Sequence, residues 1–311
     1  MTQVYSKGLK LMGNHFEFSV VSDSEAFAIR CIDEGIAEVS RIEKLLTTFD
    51  DTSQTNQINA HAGIMPVKVD KEVFDLIERS IRISSITQGA FDITYGSIDK
   101  SLWNFDRSMK ALPDLQTAKA MVRLIDFRKV ILDRQHQTVF LAEKGMRIGF
   151  GGIGKGYAAD QAKHIMRAAG VTSGIVNAAG DLTVWGHQPH GSKWTVGIAD
   201  PNTKNLPFAS VQLSDTSIAT SGTYEKYVLI DGVKYSHTID PQTGYPVRGI
   251  KSVTVLCASA ELADAMATPI MVMGVKAGLH LINQLRDIAC IIIDDNDVIY
   301  SSKNISLQKT L

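Results

Sequence analysis

Arg147-Ile148-Gly149-Phe150-Gly151-Gly152-Ile153-Gly154-Lys155-Gly156-Tyr157-Ala158-Ala159-Asp160 lies at mid-chain and holds five glycines between Gly149 and Gly156. It passes directly into a helical pattern of Ala158, Ala159, Ala162, Ile165, Met166 and Ala169. A glycine-rich turn feeding a helix lets backbone N–H groups approach an anion, and the helix N-terminus adds positive potential. The stretch therefore points to a phosphate-bearing ligand. Gly149, Gly151 and Gly154 spell GxGxxG, but a dinucleotide fingerprint needs a clean strand before it and an acid about 20 residues on. Here Ser173 and Gly174 stand at that distance, and the segment before Gly149 is short. Gly149, Gly154 and Lys155 begin a P-loop, yet Gly156 stands where a Ser or Thr must hold magnesium. The plain alternative is a tight strand-to-helix turn with Lys155 solvated, although five glycines exceed what a turn needs.

Upstream, Asn14 to Val21 alternates through Phe16, Phe18 and Val20 and predicts a strand. Ser22 with Glu25 offers a capping box for a long helix through Ile29, Ile32, Ile36, Val39, Ile42 and Leu45. Thr47 to Asn59 reads as a polar loop holding one aromatic, Phe49, and Asp70 opens a helix ending near Gly89. Ala90-Phe91-Asp92-Ile93-Thr94 and Leu102-Trp103-Asn104-Phe105 follow, then a helix from Pro113-Asp114 to about Ile125 and two short strands, 129–133 and 138–142. The second half is strand-rich, with a hairpin turn at Asp231-Gly232, helices over 260–273 and 276–285, and a closing hairpin. Helices and strands do not alternate regularly. The prediction is an α+β fold with mixed, largely antiparallel sheets and packed helices, spanning 1–311 as one domain or two intimate subdomains.

Composition sets the outer limits. The 311 residues are 44% hydrophobic and 21% charged with a net charge of −1, and no basic run supports a nucleic-acid partner. Cys31, Cys257 and Cys290 lack CxxC spacing and read as buried small hydrophobes. No signal peptide is evident, and no window reads as a transmembrane span. The expected location is cytoplasmic on the chain as it stands, or periplasmic, as a lipoprotein, if an export signal has been removed.

Asp264 and Thr268 stand four apart and share a helix face, with small residues and Met266 between them. Two hard oxygens there suit Mg²⁺ or Ca²⁺; the alternative is an ordinary helix with a back-bonded Thr. Tyr235 to Pro246 packs His237, Thr238 and Asp240 into a hairpin exit with two prolines. His237 suits a general base or ligand, or else a strand histidine bonded to a backbone carbonyl. Asn177 to Asp181 closes a strand with a tight turn, and Thr220-Ser221-Gly222-Thr223 reads as a hydroxyl-rich loop. Together these stretches describe a metal-and-phosphate site built from several loops.

Side by side, the blocks resemble the ApbE family of FAD:protein FMN transferases. They run from Met12-Gly13 through Phe91-Asp92-Ile93-Thr94, Gly151 to Tyr157, Gly180-Asp181, Thr220-Ser221-Gly222 and His237 to Pro246, ending with Ala263-Asp264 through Thr268. The His-x-x-Asp-Pro-x-Thr-Gly block is the most specific of them. The resemblance implies a T-fold-like architecture, FAD as substrate, and a divalent metal, Mg²⁺ with Ca²⁺ or Mn²⁺ as substitutes. It implies transfer of FMN to a Ser or Thr hydroxyl of a target flavoprotein, with release of AMP. Two alternatives share the site: an FAD pyrophosphatase, in which water replaces the hydroxyl, and a non-catalytic FAD-binding protein. By position, Asp264, Thr268 and the Gly152 carbonyl would be metal ligands, and Met12, Phe49, Ala90, Phe91, Asp92, Lys155 and Thr238 would lie in the FAD site. His237 would accept the proton of the attacking hydroxyl, with Asp240 orienting it and Lys155 offsetting phosphate charge. The chain departs from the family pattern at Gly149, where an Asp is usual, at Asn14 for Thr, at Thr223 for an acid, and at Phe49 for Tyr or Trp.

Overall fold

The structure is a computed structural model that describes residues 1–99, 111–203, 207–223, 227–230 and 233–305. Leu102-Trp103-Asn104-Phe105 and the Asp231-Gly232 turn lie outside the described residues. The chain opens with β1 (Gln3–Leu11), β2 (Asn14–Ser22), α1 (Glu25–Leu46), α2 (Gln54–Ala60), β3 (Val67–Lys68) and α3 (Lys71–Ile86). A 3₁₀ turn (Ile93–Ser97), α4 (Leu115–Met121), a second 3₁₀ turn (Phe127–Lys129), β4 (Val130–Asp133), β5 (Thr138–Leu141) and α5 (Gly154–Ala168) lead to the strand-rich half. There follow β6 (Gly174–Ala178), β7 (Asp181–Trp185), β8 (Trp194–Ala199), β9 (Pro207–Leu213), β10 (Thr216–Gly222), β11 (Tyr227–Ile230) and β12 (Val233–Ser236). The chain closes with β13 (Ile250–Cys257), α6 (Ala260–Ile282), β14 (Ile288–Asp294) and β15 (Ile299–Ser301).

An eight-stranded sheet in the order β1-β2-β6-β7-β10-β13-β14-β15 is the main frame, and each of its pairings is antiparallel. The α+β expectation holds. In β2 the period of two turns Phe16, Phe18 and Val20 into the core, each fully buried. Burying such a side chain stabilises by about 1.5–3 kcal/mol. The same core takes in Ile32, Val39 and Ile42 of α1, Ala158, Ala162 and Met166 of α5, and Ala263, Met266 and Ile270 of α6. The sheet's other face is covered by the β8–β9 ribbon, through Trp194, Val196 and Ile198 against Val184, Ile218 and Ile291.

Several expectations shift. β1 is a strand the alternation does not announce, joined to β2 by a two-residue turn, Met12 (φ 50) and Gly13 (φ 74). The cap of α1 is Ser24, whose side chain accepts from Phe27 N–H; Ser22 instead bonds Ser24. Part of the 47–59 loop is helical, α2, capped by Ser53. Thr220-Ser221-Gly222 is the end of β10, in register with β13, and only Thr223 lies in a turn. The two helices expected after Ala260 are one run interrupted at Gly274 (φ 81, ψ 167). This α6 reaches membrane-crossing length and hydropathy, against the expectation that no window does. Its apolar residues are those of a core helix, since Ala263, Ala265, Met266, Ala267, Ile270 and Met271 are buried in the main cluster.

Candidate active site

The glycine stretch is tied at its start to the 3₁₀ turn over Ile93–Ser97 and to α2. Asn59 grips Ile148 twice, its Nδ2 donating to the carbonyl at 3.1 Å and its Oδ1 accepting from the N–H at 2.7 Å. Ser97 does the same for Arg147, and Gly149 N–H donates to Ile93 O at 3.1 Å. Ile153 then serves as the N-cap of α5, so Gly154, Lys155 and Gly156 form its first turn. β5 ends at Leu141 and no strand leads directly into α5, so the strand a dinucleotide fingerprint needs is missing.

That first turn packs against α6 at the place where Gly156 lacks a side chain. A Cβ on Gly156 would lie 2.1 Å from Ala260 O, so only glycine allows the approach. The closeness puts Gly156 N–H 3.1 Å from Asp264 Oδ2. Farther along α5, Asp160 accepts from Ser259 Oγ at 2.8 Å and Glu261 N–H at 3.0 Å, fixing the start of α6. Lys155 Nζ turns toward the sheet, hydrogen-bonds the Asp181 carboxylate and reaches Asp264 Oδ1 at 3.4 Å. One turn beyond Asp264, Thr268 Oγ1 lies 2.9 Å from Ser221 Oγ at the end of β10. Asp181 stands first in β7, after a two-residue turn, Ala179 (φ 55) and Gly180 (φ 99), that sets its register opposite Ala178.

Asp181 and Asp264 are 5% and 6% exposed, so two carboxylates share one ammonium in a dry setting. Burial, and next the Asp264 charge, push the Asp181 carboxyl above its ordinary value, against the pull of Lys155. Burial would lower the Lys155 ammonium, but Asp264 and Asp181 together outweigh it and hold the group protonated, above its ordinary value.

The sequence-selected residues fall into three groups. Lys155, Asp264 and Thr268 meet in the charged cluster just described, beside α5 and β10. Met12 and Phe91 line the glycine stretch: Met12 Cε lies 3.6 Å from a Cβ position on Gly154, and Phe91 Cε2 3.5 Å from one on Gly152. Phe49, in the loop after α1, is 98% exposed and packs on nothing. Ala90 and Asp92 are buried. Asp92 Oδ1 accepts from Thr94 N–H at 2.8 Å and Thr94 Oγ1 at 2.6 Å, and Oδ2 from Phe127 N–H at 3.0 Å. Its carboxylate therefore caps the Ile93–Ser97 turn and ties it to Phe127 from within. His237, Thr238 and Asp240 belong to a third segment, bound to the second group where Ile239 N–H donates to Tyr95 OH at 3.2 Å and Gln242 Nε2 to Gln88 O at 2.7 Å. Both Asp240 oxygens hold this turn, accepting from Gln242 N–H and Thr243 Oγ1. Asp181 and Ser221, which stand in the sequence only within stretches of the site and without a role of their own, complete the cluster. An acid directly after a tight turn was the available signal for Asp181.

The pattern of blocks has counterparts. The family model described as "ApbE family" matches residues 12–292. The chain belongs to the ApbE family. It is 33% identical over 303 residues to a protein of Klebsiella pneumoniae (strain 342) named FAD:protein FMN transferase, covering 96% of this chain and 92% of that one. A Treponema pallidum (strain Nichols) protein of the same name is 31% identical over 306 residues, covering 93% and 84%. Among solved structures, the ApbE protein of Thermotoga maritima superposes with a TM-score of 0.87 at 29% identity, over 97% of each chain. The apo form of the Pseudomonas stutzeri flavinyl transferase ApbE gives 0.84 at 28% identity, over 97% of this chain and 95% of that one. The ApbE fold expected from the sequence is thus shared along nearly the whole length.

Proposed function

We propose that this chain is an FAD:protein FMN transferase that moves the FMN part of FAD to a Ser or Thr hydroxyl of a target flavoprotein and releases AMP. The observation that carries the reading is the buried Asp181–Lys155–Asp264 cluster at the α5 N-terminus, with Thr268 and Ser221 hydroxyls beside it. Its donor chemistry fits a divalent cation of the Mg²⁺ kind. The donors are hard oxygens, and two carboxylates against one ammonium leave a negative charge uncompensated. Asp264, Thr268 and the Gly152 carbonyl would hold the ion, which when bound supplies positive charge to offset that on the diphosphate oxygens.

The protein's own groups do the rest. Lys155, at the helix N-terminus, binds and orients the diphosphate. Met12, Phe91 and the exposed Phe49 ring supply apolar surface for the flavin or adenine. The acceptor Oγ attacks the FMN phosphorus, forming the new P–O bond as the bond to the AMP oxygen breaks. An imidazole nitrogen of His237 takes the hydroxyl proton, and Asp240 holds the turn that aims the ring.

The test is incubation with FAD, Mg²⁺ and an acceptor-domain protein, following AMP release and acceptor mass. The expected result is AMP together with an acceptor heavier by one FMN, both lost in His237→Ala and Asp264→Ala. AMP without adduct makes the protein a pyrophosphatase, and bound FAD with neither product makes it a binding protein. Adduct formation unchanged in either variant overturns the assigned roles.

A further inference from the structure

The place of Lys155 between two acids needs its own explanation. Asp181 and Asp264 come from different elements, β7 and α6, and are both buried. Like charges buried together are costly, and without a cation between them the pair would drive the elements apart. Lys155 supplies that cation, but it is shared unequally. It hydrogen-bonds Asp181, whereas Asp264 Oδ1 lies 3.4 Å away, near the outer limit for such a bond. Asp264 also has a separate hold, its Oδ2 accepting from Gly156 N–H. Asp181 is pinned by its two-residue turn and by the N–H of Thr220. The acid with the longer contact to Lys155 is the one that the metal reading above names as a ligand, with Thr268 one turn on.

We propose that Lys155 is the resident counter-ion of this site, that it yields Asp264 to the divalent cation, and that Asp181 is the positioning residue that retains Lys155 when it does so. The inference rests on the metal-dependent reading above. A lysine suits the role because its ammonium is a point charge on a flexible stem, able to leave one carboxylate while tethered to another. Two consequences follow. The site stays assembled without metal, and the metal competes with an ammonium for Asp264. Removing Asp181 throws Lys155 wholly onto Asp264 and sharpens the competition.

The test is Mn²⁺ affinity, by electron paramagnetic resonance of the free ion, on the full chain without FAD or acceptor, with Tm in EDTA measured alongside. Wild type, Lys155→Met, Asp181→Asn and the double variant form a cycle. Lys155→Met is expected to bind Mn²⁺ about tenfold tighter, within the usual range of coupling between sites, and to melt lower in EDTA but not with Mn²⁺. Asp181→Asn is expected to bind about tenfold more weakly, an effect falling below about threefold when Lys155 is already Met. Lys155→Gln is run in parallel, because it keeps an N–H donor where Met leaves two acids unpaired. The same loss from Asp181→Asn in both backgrounds, or wild-type affinity in both Lys155 variants, overturns the proposal and leaves the metal reading standing. A wild-type protein that binds no Mn²⁺ removes the metal reading and this inference with it.

Discussion

Replacing Gly156 by Ala puts opposing effects of known size against each other. Gly156 is the third residue of α5 with no positive φ, so by helix propensity alone the change should stabilise by about 1 kcal/mol. The packing says otherwise. The new Cβ would meet Ala260 O at 2.1 Å, Ala260 C at 2.5 Å and Asp264 Cβ at 2.9 Å, two of them backbone atoms that cannot swing aside. Relief requires α5 and α6 to part by about 1 Å, an overpacking cost of about 1–3 kcal/mol. The parting also stretches the Gly156 N–H bond to the buried Asp264 carboxylate, worth about 1.5–3 kcal/mol. The balance is a net loss of roughly 2–4 kcal/mol. Unfolding entropy of about 2.1 cal/mol/K per residue over 311 residues converts this to a fall in Tm of about 5 °C. Circular dichroism melts measure it, with Gly151→Ala as the control, since nothing lies within 4 Å of a Cβ there. The reasoning is refuted if Gly156→Ala melts at or above wild type, or if both variants fall equally.

Phe49→Ala should leave Tm within about 1 °C, because the ring is 98% exposed, while weakening FAD binding about tenfold in a fluorescence titration through lost stacking. All three cysteines are buried, and burial pushes the Cys257 thiol up to about 11 and Cys290 up to about 12, so a disulfide reagent at pH 8 should label none before unfolding. Glu72 is held below its ordinary value first by the Arg41 hydrogen bond, and its folded form therefore resists protonation. That stability is present above the unfolded glutamate value and disappears as pH falls through the folded one. Melts from pH 7 down to 3 should accordingly show Glu72→Gln losing less than wild type on acidification. A Cβ at Gly149 would meet no atom within 4 Å, so Gly149→Asp should fold as wild type and, by restoring the acid usual in the family, tighten FAD binding in the same titration.

What the sequence made legible follows from how burial is divided. β2 shows through Phe16, Phe18 and Val20 because one of its faces is core. β1 does not, since it pairs on one edge only and most of its residues are exposed. α2 is hidden for a different reason: Thr55, Asn56 and Asn59 are buried polar residues whose bonds go to the backbone of Leu46, Asp50 and Ile148, so no hydrophobic period exists to read. Asp264 and Thr268 were visible because helical spacing places them on one face. Asp181 shows only as the end of a turn stretch and without a role, because an acid there looks like turn chemistry until the partner strand is known. Its partnership with Lys155 spans 26 positions and depends on β7 lying beside the start of α5.

The glycine stretch itself divides into two physical roles. Gly156 is required by the protein's own packing: α6 fills the space where its side chain would be, and the site's carboxylate is held through that closeness. Gly149 and Gly151 answer to no such demand, for their Cβ positions are open and their φ values are not positive. Neither backbone conformation nor internal contact calls for glycine at these two positions. Open backbone beside Phe91, Met12 and an ammonium instead leaves room for something the protein does not supply. A flat or anionic ligand laid along 149–152 would use that room, and its charge would meet Lys155 at the first turn of α5. The two nucleotide motifs that the glycines spell out therefore mislead about the fold. Their spacing belongs partly to a helix contact, at Gly156, and partly to open positions, at Gly149 and Gly151.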